Sequence, residues 1–193
     1  MAALNILFLG FFAFQIYGLN NSYRGRIGPG GPGARSGQKT YQNIALVAPY
    51  ASEADIKRIG PYSQSADSPL GVKHAGIDFF PVSDMTPVRA VTDGTITNFQ
   101  SASGNTQFCI DHNPFLVCYS FEIFSADAAL VYKQENNIFV KNGDAVTQGT
   151  LVGRLVFGGA GAHVDLGVLR LGEQGDRICP EPYFTPEAKA SVL

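Results

Sequence analysis

From residue 44 onward the chain breaks into short apolar runs separated by glycine, proline, asparagine and aspartate. Residues 44–47, 76–80, 88–91, 94–99, 107–111, 116–124, 138–140, 151–157 and 163–169 run apolar or alternate at strand length. Asn113-Pro114 marks a tight turn between two of these runs. One or two helical turns are expected over residues 53–58. The proline-containing tail, 179–186, has no strand pattern and is expected to lie across the surface. Eight or more short strands with almost no helix predict an all-β domain, a compact antiparallel sheet or barrel-sandwich.

The pattern changes before residue 44. Residues 4–19 are almost entirely apolar, interrupted by Asn5 and Gln15. The run is shorter than the roughly 18–20 residues of a membrane span. It suits a secretory signal core, although no Lys or Arg precedes it. Arg24, Arg26 and Arg35 follow it, a placement that by itself would hold that side in the cytoplasm. Residues 27–37, IGPGGPGARSG, supply neither packing nor regular backbone donors, and so read as a tether. The expected organisation is a signal peptide or membrane anchor at 1–19, a Gly/Pro-rich linker at 20–38 and a folded domain at 39–193. The expected location is secreted, periplasmic or membrane-anchored outside the cytoplasm.

Composition narrows the chemistry. A formal net charge of -2 leaves no basic footprint, so no nucleic-acid partner is expected. Cys109, Cys118 and Cys179 contain no CxxC pair, which argues against a thiolate zinc site. With only His74, His112 and His163 available, any metal site must also draw on carboxylates. If residues 112–115 form the turn, Cys109 and Cys118 stand opposite each other. They then form either a cross-strand disulfide or a pair of small buried hydrophobes.

Two short stretches carry candidate chemistry. In Lys73-His74-Ala75-Gly76-Ile77-Asp78 the glycine permits a tight approach, and the His and Asp side chains are ordinary zinc ligands. In Ala162-His163-Val164-Asp165-Leu166-Gly167-Val168, strand alternation sends His163 and Asp165 to one face. Val164, Leu166 and Val168 then face a core. A further pair of stretches, 86–96 and 140–153, each place a Gly-containing turn between short apolar strands and read as architecture.

Taken in order, HAGIDFF at 74–80, TPVRAVTDGTI at 86–96, CIDHNPFLVCYSF at 109–121, VKNGDAVTQGTLVG at 140–153 and AHVDLGV at 162–168 resemble the lysostaphin/LytM-type zinc endopeptidases. Members of that family cut peptide cross-bridges of bacterial peptidoglycan on a duplicated-hybrid-motif β fold. The leukocyte cell-derived chemotaxins resemble the same pattern and use the fold outside cell-wall cleavage. The resemblance implies a site for Zn2+ or another divalent metal at His74, Asp78 and Asp165, with His163 aiding catalysis. Asp165 stands where the family has the second His of an HxH motif. Phe121 stands where the family has a second catalytic His, two residues after a tyrosine.

These departures imply a weakened enzyme. Two carboxylates in the ligand set soften the preference for zinc, and Phe121 supplies no donor to a developing oxyanion, a loss of about 10²–10³ in rate. Restoring Phe121→His together with Asp165→His is expected to raise metal affinity and hydrolysis together. The alternative is a non-catalytic module that holds cell-wall glycan, peptide or a protein partner on the same fold. A biotinyl- or lipoyl-type carrier is disfavoured because no lysine sits between small or Met residues in a hairpin turn. The partners expected are a peptidoglycan peptide or a protein, with membrane association through the N-terminus.

Overall fold

A computed structural model of the 193-residue chain describes residues 43–60, 76–102, 104–171 and 178–192. These residues fall within one compact unit, Lys39–Leu193. The expected signal or anchor at 1–19 and the linker at 20–38 lie outside the described residues. Among the described residues, no helix is long and apolar enough to cross a membrane.

Nine strands are present among the described residues: β1 (Ile56–Gly60), β2 (Ile77–Pro81), β3 (Thr86–Arg89), β4 (Gly94–Ala102), β5 (Asn105–His112), β6 (Phe115–Glu122), β7 (Ala145–Val146), β8 (Leu151–Leu155) and β9 (His163–Arg170). The expected runs 44–47 and 138–140 contribute only isolated bridges, at Leu46 and Ile138. Seven make one sheet in the order β1-β2-β9-β6-β5-β4-β7, and β3 pairs with β8 in a second. Every strand pair is antiparallel. The expected all-β antiparallel architecture is the observed one.

Alternation decides which residues make the core. On β5 and β6, Phe108, Tyr119 and Phe121 are buried together, with Phe108 stacked 5.1 Å from Tyr119 and 5.9 Å from Phe121 between ring centroids. On β9, Val164, Leu166 and Val168 join them. The Tyr119 hydroxyl would be costly to bury unpaired. It accepts from the Val91 N–H at 2.7 Å and donates to the Arg89 carbonyl at 3.0 Å.

The two architectural stretches pair with each other, β3 with β8 and β4 with β7. Gly143 and Gly149 turn the second stretch at φ 92° and 86°, where a Cβ would be strained. Their N–H groups close on Ile96 and Ala90 carbonyls at 2.9 and 2.8 Å. The 5–6 hairpin has the expected register, His112 opposite Phe115 and Cys109 opposite Cys118, and the cysteines form a disulfide.

Three local expectations are corrected. At 53–58 there is one 3-10 turn, Glu53–Asp55, capped by Ser52, and Ile56 already begins β1. Helix α1 (Ala128–Glu135) had no sequence signal, because only Gln134 of it is fully buried and no apolar stripe marks it. It starts on Asp127, whose side chain accepts the Ala129 N–H at 2.8 Å. Gln134 fastens it to the β8 edge through the Arg154 carbonyl at 3.0 Å and the Val156 N–H at 2.8 Å. The tail is not merely superficial: Phe184 is buried and bridges Leu46, and a second helix, α2 (Pro186–Val192), follows.

Candidate functional site

The face of the large sheet opposite the aromatic core is unusually polar for a buried surface. Strands β2, β9 and β6 lie side by side, and their register sets Asp78 opposite Asp165, Asp165 opposite Ser120, and His163 opposite Glu122. Because neighbouring residues alternate between faces, Ile77, Phe79, Val164, Leu166, Tyr119 and Phe121 face the core. Asp78, His163, Asp165, Ser120 and Glu122 therefore share the other face. The structure thus brings together Asp78, His163 and Asp165. His74 lies outside the described residues.

Glycines make room for the two aspartates. A Cβ on Gly76 would lie 1.7 Å from Asp165 Oδ1 and 2.9 Å from the Leu166 carbonyl oxygen. A Cβ on Gly60 would lie 3.0 Å from both Cβ and Oδ2 of Asp78. The glycine of the HAGID stretch is thus a steric requirement of the Asp165 carboxylate.

His163 is the centre of the cluster. Its Nε2 is 3.3 Å from Asp78 Oδ1 and 3.6 Å from Glu122 Oε2. Its Nδ1 is 2.8 Å from the Gly161 carbonyl. A carbonyl only accepts, so Nδ1 carries a proton, and the nitrogen turned to the carboxylates is Nε2. Phe80 and Phe124 pack against the ring at centroid distances of 4.9 and 5.3 Å, and the Arg58 guanidinium covers Phe80 at 3.8 Å. His163 is 7% exposed, Asp78 5%, Asp165 6% and Glu122 1%.

Glu122 is the site residue that the sequence reading passed over. Ser120 Oγ donates to its Oε1 at 2.8 Å, and Gln107 Nε2 donates to Ser120 Oγ at 3.1 Å. Its Oε2 is buried and has no hydrogen-bond partner. Burial pushes its carboxyl up to about 7, and the Asp165 and Asp78 charges push the same way against His163 and Ser120. Phe121, expected on the wall of the site, is instead fully buried in the core. The signal was available: Tyr119 and Phe121 share a parity that is aromatic and apolar, whereas Ser120 and Glu122 share the polar one. His112 plays no part here; its ring contacts Thr92, the Asp93 carbonyl and the Asn43 carbonyl.

As they stand, no three His, Cys, Asp or Glu side chains among the described residues are arranged to hold a metal ion. The set implied by the resemblance is only two-thirds described, since His74 falls outside. Glu122 Oε2, a buried acceptor with no hydrogen-bond partner, faces the His163 imidazole, and the two stand as an imidazole–carboxylate pair and not as a ligand shell.

Comparison with known proteins bears on the fold. No family profile and no curated protein matches the sequence. Among solved structures, the chain is similar to Csd3 of Helicobacter pylori, with 21% identity over 74% of this chain and 35% of that one and a TM-score of 0.52. It is also similar to the antimicrobial peptidase lysostaphin from Staphylococcus simulans, with 20% identity over 77% of this chain and 56% of that one and a TM-score of 0.51. The chain therefore has the lysostaphin/LytM-type, metallopeptidase-like β fold. It spans about a third of the first protein and little more than half of the second.

Proposed function

We propose that this chain is an exported metallopeptidase-type domain whose power to hydrolyse peptidoglycan cross-bridge peptides is weakened. One observation carries the reading: His163 is buried and its Nε2 faces Asp78 and Glu122. A catalytic base or acid must come within hydrogen-bond reach of the reacting group. Here that nitrogen is already engaged by two carboxylates and walled by Phe80 and Phe124.

The residues divide the remaining work. By the resemblance, His74, Asp78 and Asp165 would hold zinc or another divalent ion, which when bound polarises a scissile carbonyl and acidifies water. Gly76 and Gly60 fix where the two aspartates lie. Ser120 and Gln107 hold Glu122 from behind. Across β6 the residue opposite His163 is Glu122 and not an imidazole. Once ionised, above about pH 7, Glu122 offers no hydrogen to a developing oxyanion, so a contribution of about 10²–10³ in rate is missing there. The Cys109–Cys118 disulfide suits an oxidising compartment and supports export.

A non-catalytic binding module is the second reading. Phe124 favours it: this side chain packs on His163, is 41% exposed and sits at φ 48°. That backbone is costly for a bulky residue and is found where a site holds it in place. Purified peptidoglycan incubated with the zinc-supplemented protein separates the readings, with lysostaphin in parallel and a chelator control. Slow, chelator-sensitive release of amino groups is expected. Release as fast as that by lysostaphin overturns the proposal, and retention on insoluble peptidoglycan with no release favours the module.

A further inference from the structure

One line of side chains crosses the polar face and ends in an exposed cation. Register sets Arg58 opposite Phe80 and His163 opposite Glu122, and the pairing of β2 with β9 brings Phe80 beside His163. Glu122, at the inner end, is buried. Phe80 is half-buried and Arg58, on the edge strand β1, is exposed.

A bulge puts Arg58 on this face. The register of β1 shifts between Ile56 and Arg58. In a regular strand residues two apart share a face, so Arg58 would follow Ile56 toward the core. The extra residue turns Arg58 to the polar side, while Ile56 and Ile59 both pack against the core. The Arg58 guanidinium lies 3.8 Å from the centre of the Phe80 ring, and Phe80 packs on His163 at 4.9 Å. Stacking occupies the flat face of the guanidinium and leaves its N–H fork at the rim. Among the described residues, no carboxylate lies within ion-pair distance of it. A planar fork held on a ring is pre-organised for a carboxylate.

Charge sets which part of a ligand goes where. Asp78, Glu122 and Asp165 occupy the inner end, where a further anion meets like charge. Phe80 and Phe124 wall His163 on either contact, and Phe124 is 41% exposed. Uncharged chain therefore belongs over the aromatic rings and the anion at Arg58. Arg58 and His163 stand two strands apart, about 10 Å, which is about two or three residues of extended peptide.

We propose that Arg58 is a specificity-determining residue that anchors an acidic side chain of a bound peptide, whose neutral stretch lies over Phe80, His163 and Phe124. The proposal rests on the peptidase-type reading above: cross-bridge peptides are joined at both ends, so the carboxylate is carried within the chain and not at a free end. Arg58 touches the ligand away from the reacting atoms and acts on affinity.

The test is isothermal titration of blocked seven-residue alanine peptides into the zinc-supplemented full chain. One peptide has glutamate at its centre, a second has glutamine there, and a third has the glutamine and an unblocked C-terminal carboxylate. The glutamate peptide is expected to bind about 10-fold more tightly than the glutamine peptide. That preference should shrink as salt is raised. Arg58→Gln should bring the glutamate peptide down to the affinity of the glutamine peptide. Arg58→Lys keeps the charge without the planar fork and should retain only part of the preference. Thermal melts check that both variants are folded. Equal affinity for the two blocked peptides, no binding of either, or a preference intact in Arg58→Gln overturns the proposal. Tightest Arg58-dependent binding of the unblocked peptide also overturns it, in favour of a chain end. Affinity is read without turnover: a preference in a protein that releases nothing from peptidoglycan defeats only the hydrolytic reading, and hydrolysis without the preference defeats only this one.

Discussion

Single residues set the polar face, and three substitutions probe it. Gly76→Ala would place a Cβ 1.7 Å from the Asp165 carboxylate and 2.9 Å from a backbone oxygen. Asp165 must move, and an overpacking cost of about 1–3 kcal/mol is expected in urea denaturation. Phe121→His, which the family pattern suggests as a repair, would bury an imidazole among Phe108 and its neighbours. It is expected to destabilise by about 3–5 kcal/mol, as loss of a buried aromatic does, and to add no activity. Glu122 gives the pH dependence. Its carboxyl is raised from 4.5 to about 7, so folding favours the protonated form. The contribution is fully present below 4.5 and is lost as pH rises through about 7. In chelator-treated protein, the urea midpoint should fall more between about pH 5 and about pH 8 for the unmodified chain than for Glu122→Gln. Equal slopes would show that Glu122 is not held in this way.

At the scale of elements, most strands were legible, β1 and β7 were not, and neither were the helices. Strand alternation on β9 is visible in the sequence because Val164, Leu166 and Val168 are a pure apolar set interleaved with His163 and Asp165. On β6 nearly every residue is buried, so the run 116–124 carries less contrast, and its parity was read from the family tyrosine rather than from the polar pair Ser120 and Glu122. Helix α1 is anchored by one buried amide, Gln134, and α2 begins after Phe184 enters the core, and neither event leaves a periodic trace. The hairpin disulfide was one of two readings of the cysteine spacing, and only the pairing of β5 with β6 decides it. It clamps the strands that carry Gln107 and Ser120. Replacing both cysteines by Ala should lower stability by about 2–3 kcal/mol, the chain-entropy value for a loop this short. A loss of that size by denaturant titration, reproduced by adding reductant to the unmodified protein, is the expected outcome.

For the whole molecule, the fold came from the ordered stretches and is the lysostaphin/LytM-type β fold. The site was only partly legible. His163 and Asp165 share a face by strand alternation, and the pairing of β2 with β9 sets Asp78 on that same face. Glu122 is discounted by any reading that puts its neighbour Phe121 on the site wall, since the two face opposite sides of a regular strand. Its place opposite His163 follows only from the pairing of two strands distant in sequence. Weak hydrolysis rests on one premise, that His163 Nε2 is engaged by carboxylates. The most direct measurement is a crystal structure of the chain soaked in zinc, with any ion placed by anomalous scattering. The expected result is His163 Nε2 still held against Asp78 and Glu122. His163 open to solvent and Glu122 turned away, beside an ion held by His74, Asp78 and Asp165, would contradict it.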